Sequence, residues 1–503
     1  MFSPMGEFLE CGDSSPHGSE SGDKSPHSTF GGLNDHQGRY FYLCNVICRD
    51  IMSTSLKTDV KDINWVSGFF TRLKALAYDL VRRSLIFSEL RAALAAVTYF
   101  LVFLPERVRL FSLAKALYQT RLPISGSLIN QWAMAGTPPK CEKWITGQIG
   151  WDRYAQGIAH GAISKTLILK SPIGEHEKGV IYIAFENNFI NLLQHYDWKG
   201  LLDQYFIILA SSWSPPDYNA VFALAAAGRR SPVFVGISND GDYQMYGAFK
   251  PFVEPVPLLA SDWINGDFYH PVESASRSID IIMVAGWTRW KNHWMLFKAL
   301  KKLPSKLRVV LIGQDMDGRS ADDVYREAQA FGVAGQIEIK HNAQPEEVAK
   351  LLCDSRCSVV LSRREGSSVI VVESFFADTP VIMLKGAHIG SIKYINDSTG
   401  RLTTVSRLAT TIADVLEHGE SFSPRRWASL HTGAEIASQR LNAFFRDYSE
   451  NHGLPWTRDI QAMCRRPNAI YLHESDNAMM QPAYDDAYQR YGLLVQHHLP
   501  SST

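Results

Sequence analysis

Ser358-Val-Val-Leu-Ser-Arg-Arg-Glu365-Gly-Ser-Ser-Val-Ile-Val-Val-Glu373-Ser-Phe-Phe-Ala-Asp-Thr-Pro380-Val is the stretch on which the fold turns. It opens as a short β-rich run, crosses a polar loop, and continues as an apolar run that Asp378-Thr-Pro380 stops. A strand that feeds a helix through a loop is half of a parallel crossover unit. In the loop, Gly366 lets the backbone approach a ligand, and the amides of Ser367 and Ser368 open the helix toward a phosphate. Glu365 is placed to accept hydrogen bonds from sugar hydroxyls. Glu373, two turns down the helix, is placed to accept both hydroxyls of a ribose, each such bond contributing about 1.5–3 kcal/mol.

Outward from this unit the alternation repeats. Strands are expected at Ile279 to Ala285, Leu307 to Ile312, Ile337 to Lys340, Ser358 to Leu361 and Val381 to Leu384. Helices are expected at Trp294 to Leu303, Ala321 to Phe331, Pro345 to Cys353 and through Glu373. Strands and helices in this order make a doubly wound parallel sheet, whose ligands sit beyond the carboxyl ends of the strands. The loops 286–292, 313–318 and 362–368 should therefore converge. A similar alternation precedes it, with strands at Gly179 to Ala184, Tyr205 to Ala210, Pro232 to Ile237 and Val256 to Leu259, and a helix-like run at Ala220 to Ala227. Two such domains in series define a cleft.

The bulk composition agrees with a folded two-domain chain. The sequence has 503 residues, of which 46% are hydrophobic and 20% charged. Its 51 basic residues balance 51 acidic ones, so no global field points to nucleic acid or another polyanion. Seven cysteines do not make a disulfide scaffold. The spacing shared by Cys44–Cys48 and Cys353–Cys357 has no accompanying histidine pair, which favours buried thiols over a metal site. No signal peptide is visible. The apolar run Ala92 to Leu104, about 13 residues, falls short of the roughly 20 that cross a bilayer. Basic residues from Arg72 to Lys115 leave open a peripheral membrane contact through residues 72–115, against packing on the protein itself.

The residues around Glu365 resemble the retaining glycosyltransferases of family four, which have the GT-B fold. Their donor domain carries E-G-x-G-x-x-x-x-E followed by a short helix and T-P-V. Glu365, Gly366, Glu373, Thr379, Pro380 and Val381 match in order and spacing, and Ser368 replaces the usual second glycine. The resemblance covers about 275–440. It implies that Glu365 holds the donor sugar and Glu373 the ribose of a nucleotide-diphosphate sugar. Gly286-Trp-Thr-Arg289-Trp-Lys291-Asn292 resembles the family's G-R-x-x-x-K-G/N segment, with the arginine displaced and the loop one residue shorter. Arg289 and Lys291 would then neutralise the leaving diphosphate, with no metal and no cofactor beyond the sugar nucleotide as co-substrate. Ile395-Asn-Asp-Ser-Thr399-Gly400 is similar to the family's closing loop, and Ala260 to Pro271 to its interdomain segment.

What the resemblance implies overall is a GT-B enzyme that moves a hexose, with retention, to a glycan or lipid-linked acceptor. It would work in polysaccharide biosynthesis, in the cytoplasm or peripherally at the inner membrane surface. The domains follow as a disordered tail over 1–38, a mostly helical extension over 39–150 and an N-terminal Rossmann-like acceptor domain over 151–270. A C-terminal Rossmann-like nucleotide-sugar domain over 271–435 comes next, then helices that cross back over 436–503. Two rivals share the scaffold: a nucleotide-sugar epimerase and a non-catalytic sugar-nucleotide-binding module.

Several features compete for attention. Asp240-Gly-Asp242 and Asp315-Met-Asp317 each follow a strand, as metal-binding D-x-D motifs do in the other glycosyltransferase fold. The family also places a first-domain histidine beside the donor sugar. His160, His176 and His195 are available, but none lies in a matching segment. The loop around Trp213 offers a ring that stacks on sugar or packs in a core.

Overall fold

The computed structural model describes residues 162–210, 231–247, 250–273, 276–466, 468–496 and 498, preceded by helical residues at 68–73, 75–77, 89–90, 92–94 and 97. The expectations for 1–38, for Cys44 and Cys48, for His160, for the Trp213 loop and for the helix at 220–227 lie outside the described residues.

The first domain runs β1 (Thr166–Lys170), β2 (Gly179–Ala184), α1 (Glu186–His195), α2 (Trp198–Gln204), β3 (Tyr205–Ala210), β4 (Val233–Gly236), α3 (Asp240–Gly247) and β5 (Val253–Val256). Its five strands lie in sequence order. Strands β2 to β5 are parallel, while β1 pairs antiparallel with β2 at the edge. The edge strand was not read from the sequence. Strand β5 ends at Val256, whereas the sequence placed a strand at Val256 to Leu259. Pro257 lacks the amide that would continue the ladder, and the chain leaves there as the interdomain segment.

The second domain follows with β6 (Ile279–Val284), α4 (His293–Leu300), β7 (Val309–Gly313), α5 (Ala321–Phe331), β8 (Ile337–His341), α6 (Pro345–Cys353), β9 (Ser355–Val360), α7 (Ile370–Phe376), β10 (Val381–Leu384) and β11 (Gly400–Thr403). Its order, β11-β10-β9-β6-β7-β8, is parallel throughout. Nearly continuous apolar strands suit a sheet covered on both faces. The chain steps outward from β6 to β8, then returns to set β9 against the other side of β6. That reversal is the topological switch point, so the loops after β6 and β9 flank one crevice. The sixth strand, β11, escaped the sequence because Arg401 and the exposed Leu402 break its apolar run. Strand β9 starts three residues early, at Ser355, because Arg356 within it pairs with Asp280 on β6 at 2.8 Å.

After α8 (Leu408–Glu417) and α9 (Pro424–His431), helix α10 (Ala434–Asn451) crosses back to the first domain. Its Leu441 and Phe445 join the first domain's core, and Phe445 stacks on Phe206 of β3 at 5.2 Å. The remaining segment is not purely helical. It forms a hairpin of β12 (Met463–Arg466) and β13 (Asn468–Tyr471) before α11 (Ser475–Tyr491). Tyr471 Oη donates to the Ile168 carbonyl, and the Ile168 amide donates to Tyr484 Oη, which ties both elements to β1. The helical residues ahead of the first domain rest on the second, where Ala75 enters the core and Gly68 lies against Ala330. No helix among the described residues is long and apolar enough to cross a membrane.

One buried ion pair fixes the β1–β2 hairpin to the crossing segment. Lys170 Nζ lies 2.6 Å from Glu177 Oε1 and 3.4 Å from the centre of the Trp456 ring. Thr457 donates to Glu177 through its amide and its hydroxyl. Burial raises the Glu177 pKa, but Lys170 and Thr457 outweigh it and bring the group down to about 2 from 4.5. A lowered carboxyl pKa gives stability that is complete above 4.5 and is lost as pH falls toward 2. Glu177→Gln strands a buried ammonium and should cost about 3 kcal/mol in urea unfolding at pH 7. The gap to the parent should narrow between pH 4.5 and 2.

Candidate active site

The crevice between β6 and β9 is built from two loops that hold each other. Asn292, in the left-handed conformation at φ 59°, ends the turn Arg289–Lys291 and begins α4. Its side chain donates to the Trp290 carbonyl at 3.1 Å and to the Leu361 carbonyl, just past β9, at 2.9 Å. Lys291 Nζ, buried, meets Glu365 Oε1 at 2.7 Å. Lys291 also lies 4.3 Å from the centre of the Trp290 ring. Arg289 opens the same turn and is partly exposed, and Gly286 begins the loop.

The loop after β9 is braced by a neighbouring backbone. Glu365 donates its amide to the His388 carbonyl, while the amides of Gly390 and Ser391 donate to the carbonyls of Gly366 and Ser367. Among the described residues the amides of Gly366, Ser367 and Ser368 donate to no backbone group. They lie just ahead of α7, where a helix start leaves its first amides unpaired. Ser368 stands at φ 54°, a region that costs a non-glycine residue roughly 1–2 kcal/mol. The backbone here has kept the conformation suited to glycine while the residue is serine, and its buried hydroxyl finds no partner.

Glu373 has different neighbours from Glu365. It is partly buried, and that burial raises its pKa above 4.5, while Arg465 and a hydrogen bond from Tyr269 work against the rise. Thr379, in the T-P-V segment, is structural: its hydroxyl donates to the Leu352 carbonyl at 2.8 Å and accepts from Arg277. Beneath the Lys291 turn, His293 is fully buried with neither ring nitrogen hydrogen-bonded. Burial, then the charges of Arg319 and Lys291, hold its pKa well below 6.5, so the ring is neutral.

The first domain reaches this site from the loop after β4. Asn239 Nδ2 donates to His388 Nε2 at 2.9 Å, and Asp240 pairs with Lys393 at 2.9 Å. A side chain at Gly390 would strike the Ser238 carbonyl, so glycine permits the approach. Ser261, in the linker, donates its amide to Ser367 Oγ at 3.1 Å. Asp262 accepts from the Leu259 amide, Tyr394 Oη and Thr432 Oγ1, joining linker, donor-side loop and crossing helix.

These contacts reassign the competing motifs. Asp240 is paired with Lys393, and Asp242 is buried, accepting from the Ser238 amide and Asn239 Nδ2. Asp315 lies against His341 and the Ala321 amide, and Asp317 against Trp290 Nε1. Among the described residues no cluster of His, Cys, Asp and Glu is built to hold a metal. Cys353 and Cys357 are free and buried, with burial pushing Cys357 up to about 12. His176 and His195 are exposed on a hairpin turn and at the end of α1. Among the described residues, His388 of the second domain is the histidine that meets the first domain, at Asn239. Its only sequence signal was its position in the loop after a strand.

Two α/β domains, the first with its strands in sequence order and the second doubly wound, are joined by a linker and a returning helix in a GT-B architecture, with a loop crevice at the switch point of the second. Residues 269–426 match the family described as glycosyl transferases group 1. No curated protein matches the chain. Among solved structures the chain is similar to sucrose-phosphate synthase from Thermosynechococcus elongatus, at 15% identity over 54% of this chain and 74% of that one, with a TM-score of 0.44. It is also similar to Anabaena HepE in complex with UDP and glucose, at 12% identity, 53% and 77% coverage and a TM-score of 0.42. For the pneumococcal O-GlcNAc transferase GtfA in complex with UDP and GlcNAc the values are 13%, 54%, 56% and 0.39.

Two substitutions probe the loop and helix. Ser368→Gly should relieve the left-handed strain and raise stability by up to about 1 kcal/mol in chemical denaturation, the gain being partly offset by glycine's freedom in the unfolded chain. Glu373→Gln should melt higher than the parent at pH 8. A raised carboxyl pKa gives stability that is present below 4.5 and is lost as pH rises, so this advantage should shrink toward pH 4 in melting curves.

Proposed function

We propose that the protein transfers a hexose from a nucleotide-diphosphate sugar to a glycan or lipid-linked acceptor, with retention and without a metal ion. The buried Lys291–Glu365 pair carries this reading. Two charges held together in a nearly dry crevice are costly unless each satisfies the other. A donor offers each a replacement: its diphosphate can take the ammonium, and its sugar hydroxyls the carboxylate. Lys291, assisted by Arg289 and the amides of Gly366, Ser367 and Ser368, then stabilises the departing diphosphate. Glu365 holds the sugar as positive charge develops on it. Glu373 accepts from the ribose, and Gly286 leaves room for the nucleotide. The engagement of Asp240 and Asp242 elsewhere favours catalysis by these side chains over a D-x-D metal. Work in the cytoplasm, with a peripheral contact at the inner membrane surface through residues 72–115, fits the basic and apolar residues there.

A screen of nucleotide sugars, run in excess EDTA with release of nucleoside diphosphate as the readout, tests the assignment. Lys291→Ala should lower kcat by about 10²–10³, Glu365→Gln should act chiefly on kcat, and Glu373→Ala should weaken nucleoside diphosphate binding. Unchanged turnover and donor affinity in all three would overturn the site. Turnover that appears only when a divalent ion is restored would overturn metal independence.

A further inference from the structure

We propose that Lys165, Arg465 and the ring of Phe185 form a second anion subsite of the cleft, one that takes a phosphoryl group opposite the Lys291 loop. Phe185 follows the carboxyl end of β2 directly, where ligands of such sheets sit. Lys165 Nζ lies 4.3 Å from its ring centre and the Arg465 guanidinium 5.3 Å from the same ring. Two cations therefore share one aromatic face system, although like charges repel. Arg465 comes from β12 in the returning segment, where its backbone bridges Ile264 of the linker. It is half-buried and contributes an attractive charge to Glu373 on α7, so it stands between the two domains. Its guanidinium lies over the Phe185 ring and acts at longer range on Glu373 and on the buried Tyr182 hydroxyl. A half-buried cation held against a ring, near a buried phenol and a more distant carboxylate, keeps donors that an anion can take.

The local backbone fits that purpose. Lys165 and Phe185 both adopt positive φ, 52° and 71°, and are 7% and 6% exposed. Such conformations are retained where the surroundings impose them, commonly at ligand sites. The Ala184 amide donates to the Lys165 carbonyl, which fixes the two residues side by side. Helix α1 begins at Glu186, so its first amides open beside the same ring. A guanidinium and an ammonium together match a phosphate or diphosphate better than a neutral sugar. The phosphoryl group has two available sources, the donor's own diphosphate or a phosphate of the acceptor. Its place in a transfer reaction rests on the function proposed above, whereas anion binding itself does not.

Calorimetric titration of the full chain separates these cases. The probes are inorganic pyrophosphate, UDP, and inorganic phosphate added to UDP-saturated protein. If the subsite takes the donor's diphosphate, Lys165→Gln and Arg465→Gln each weaken pyrophosphate and UDP about tenfold or more. If it takes an acceptor phosphate, both variants keep their UDP affinity and lose phosphate binding to the UDP-saturated protein. Lys165→Arg and Arg465→Lys, which keep the charge, should retain most of the binding and show that the neutral variants did not simply misfold. The subsite is overturned if the neutral variants fold and all three titrations stay within about twofold of the parent, or if the charge-preserving variants lose as much as the neutral ones. Absence of sugar transfer by the parent protein, with anion binding intact, would refute the proposed function and leave the subsite standing.

Discussion

The contact between Lys291 and Glu365 governs how the second domain presents its active edge. The two side chains come from loops that follow β6 and β9, strands that are adjacent in space but separated in sequence by two strands and three crossover helices, α4 to α6. Both are nearly excluded from water, where an isolated charge costs several kcal/mol. The pair therefore forces the loops to a fixed separation, and the Asn292 side chain sets the same separation through the Leu361 carbonyl. With the loops locked, the Gly366–Ser368 segment is held in place by the amides of Gly390 and Ser391.

The same loops are also bound to the first domain, so the crevice does not belong to one sheet alone. Ser367 receives the linker amide of Ser261, and His388 is bonded through its backbone to Arg363 and Glu365 and through its ring to Asn239. Asp262 ties the linker to Tyr394 and to Thr432 at the start of the returning segment. Any opening of the domains has to break Asn239–His388 and Asp240–Lys393, the second of which is solvent-exposed and correspondingly weak. Buried Asp262, with three donors, is the firmer tie. The linker thus restrains the donor loop even where the cleft contacts loosen.

The sequence was most informative where burial is uniform. Ile279–Val284, Val381–Leu384, Ala321–Phe331 and Pro345–Cys353 read correctly because their apolar periodicity follows directly from two covered sheet faces and an amphipathic helix. Short elements with charges inside them did not read: β11 contains Arg401, and β12 ends in Arg465-Arg466. Those charges find their partners through tertiary contacts that no local pattern records. The loop residues Glu365 and Lys291 could be picked out individually by their position after strands. Their mutual contact could not, because it spans 74 residues and depends on which strand lies beside β6.

The Asp240-Gly-Asp242 segment shows why a motif needs its surroundings. Two aspartates after a strand have the spacing of a diphosphate-bound metal site, but the fold has committed them separately. Asp242 turns back to accept from its own loop, which holds Asn239 where it can cross the cleft. Asp240 points outward to Lys393, beside the closing loop that ends at Gly400. Gly400 is itself fixed by sterics, since any side chain there would strike the Val381 carbonyl. Carboxylates that in another fold would gather a cation here align one domain with the other. Positive charge at the cleft is carried by side chains, among them Lys291 on the loop after β6 and Arg465 on β12.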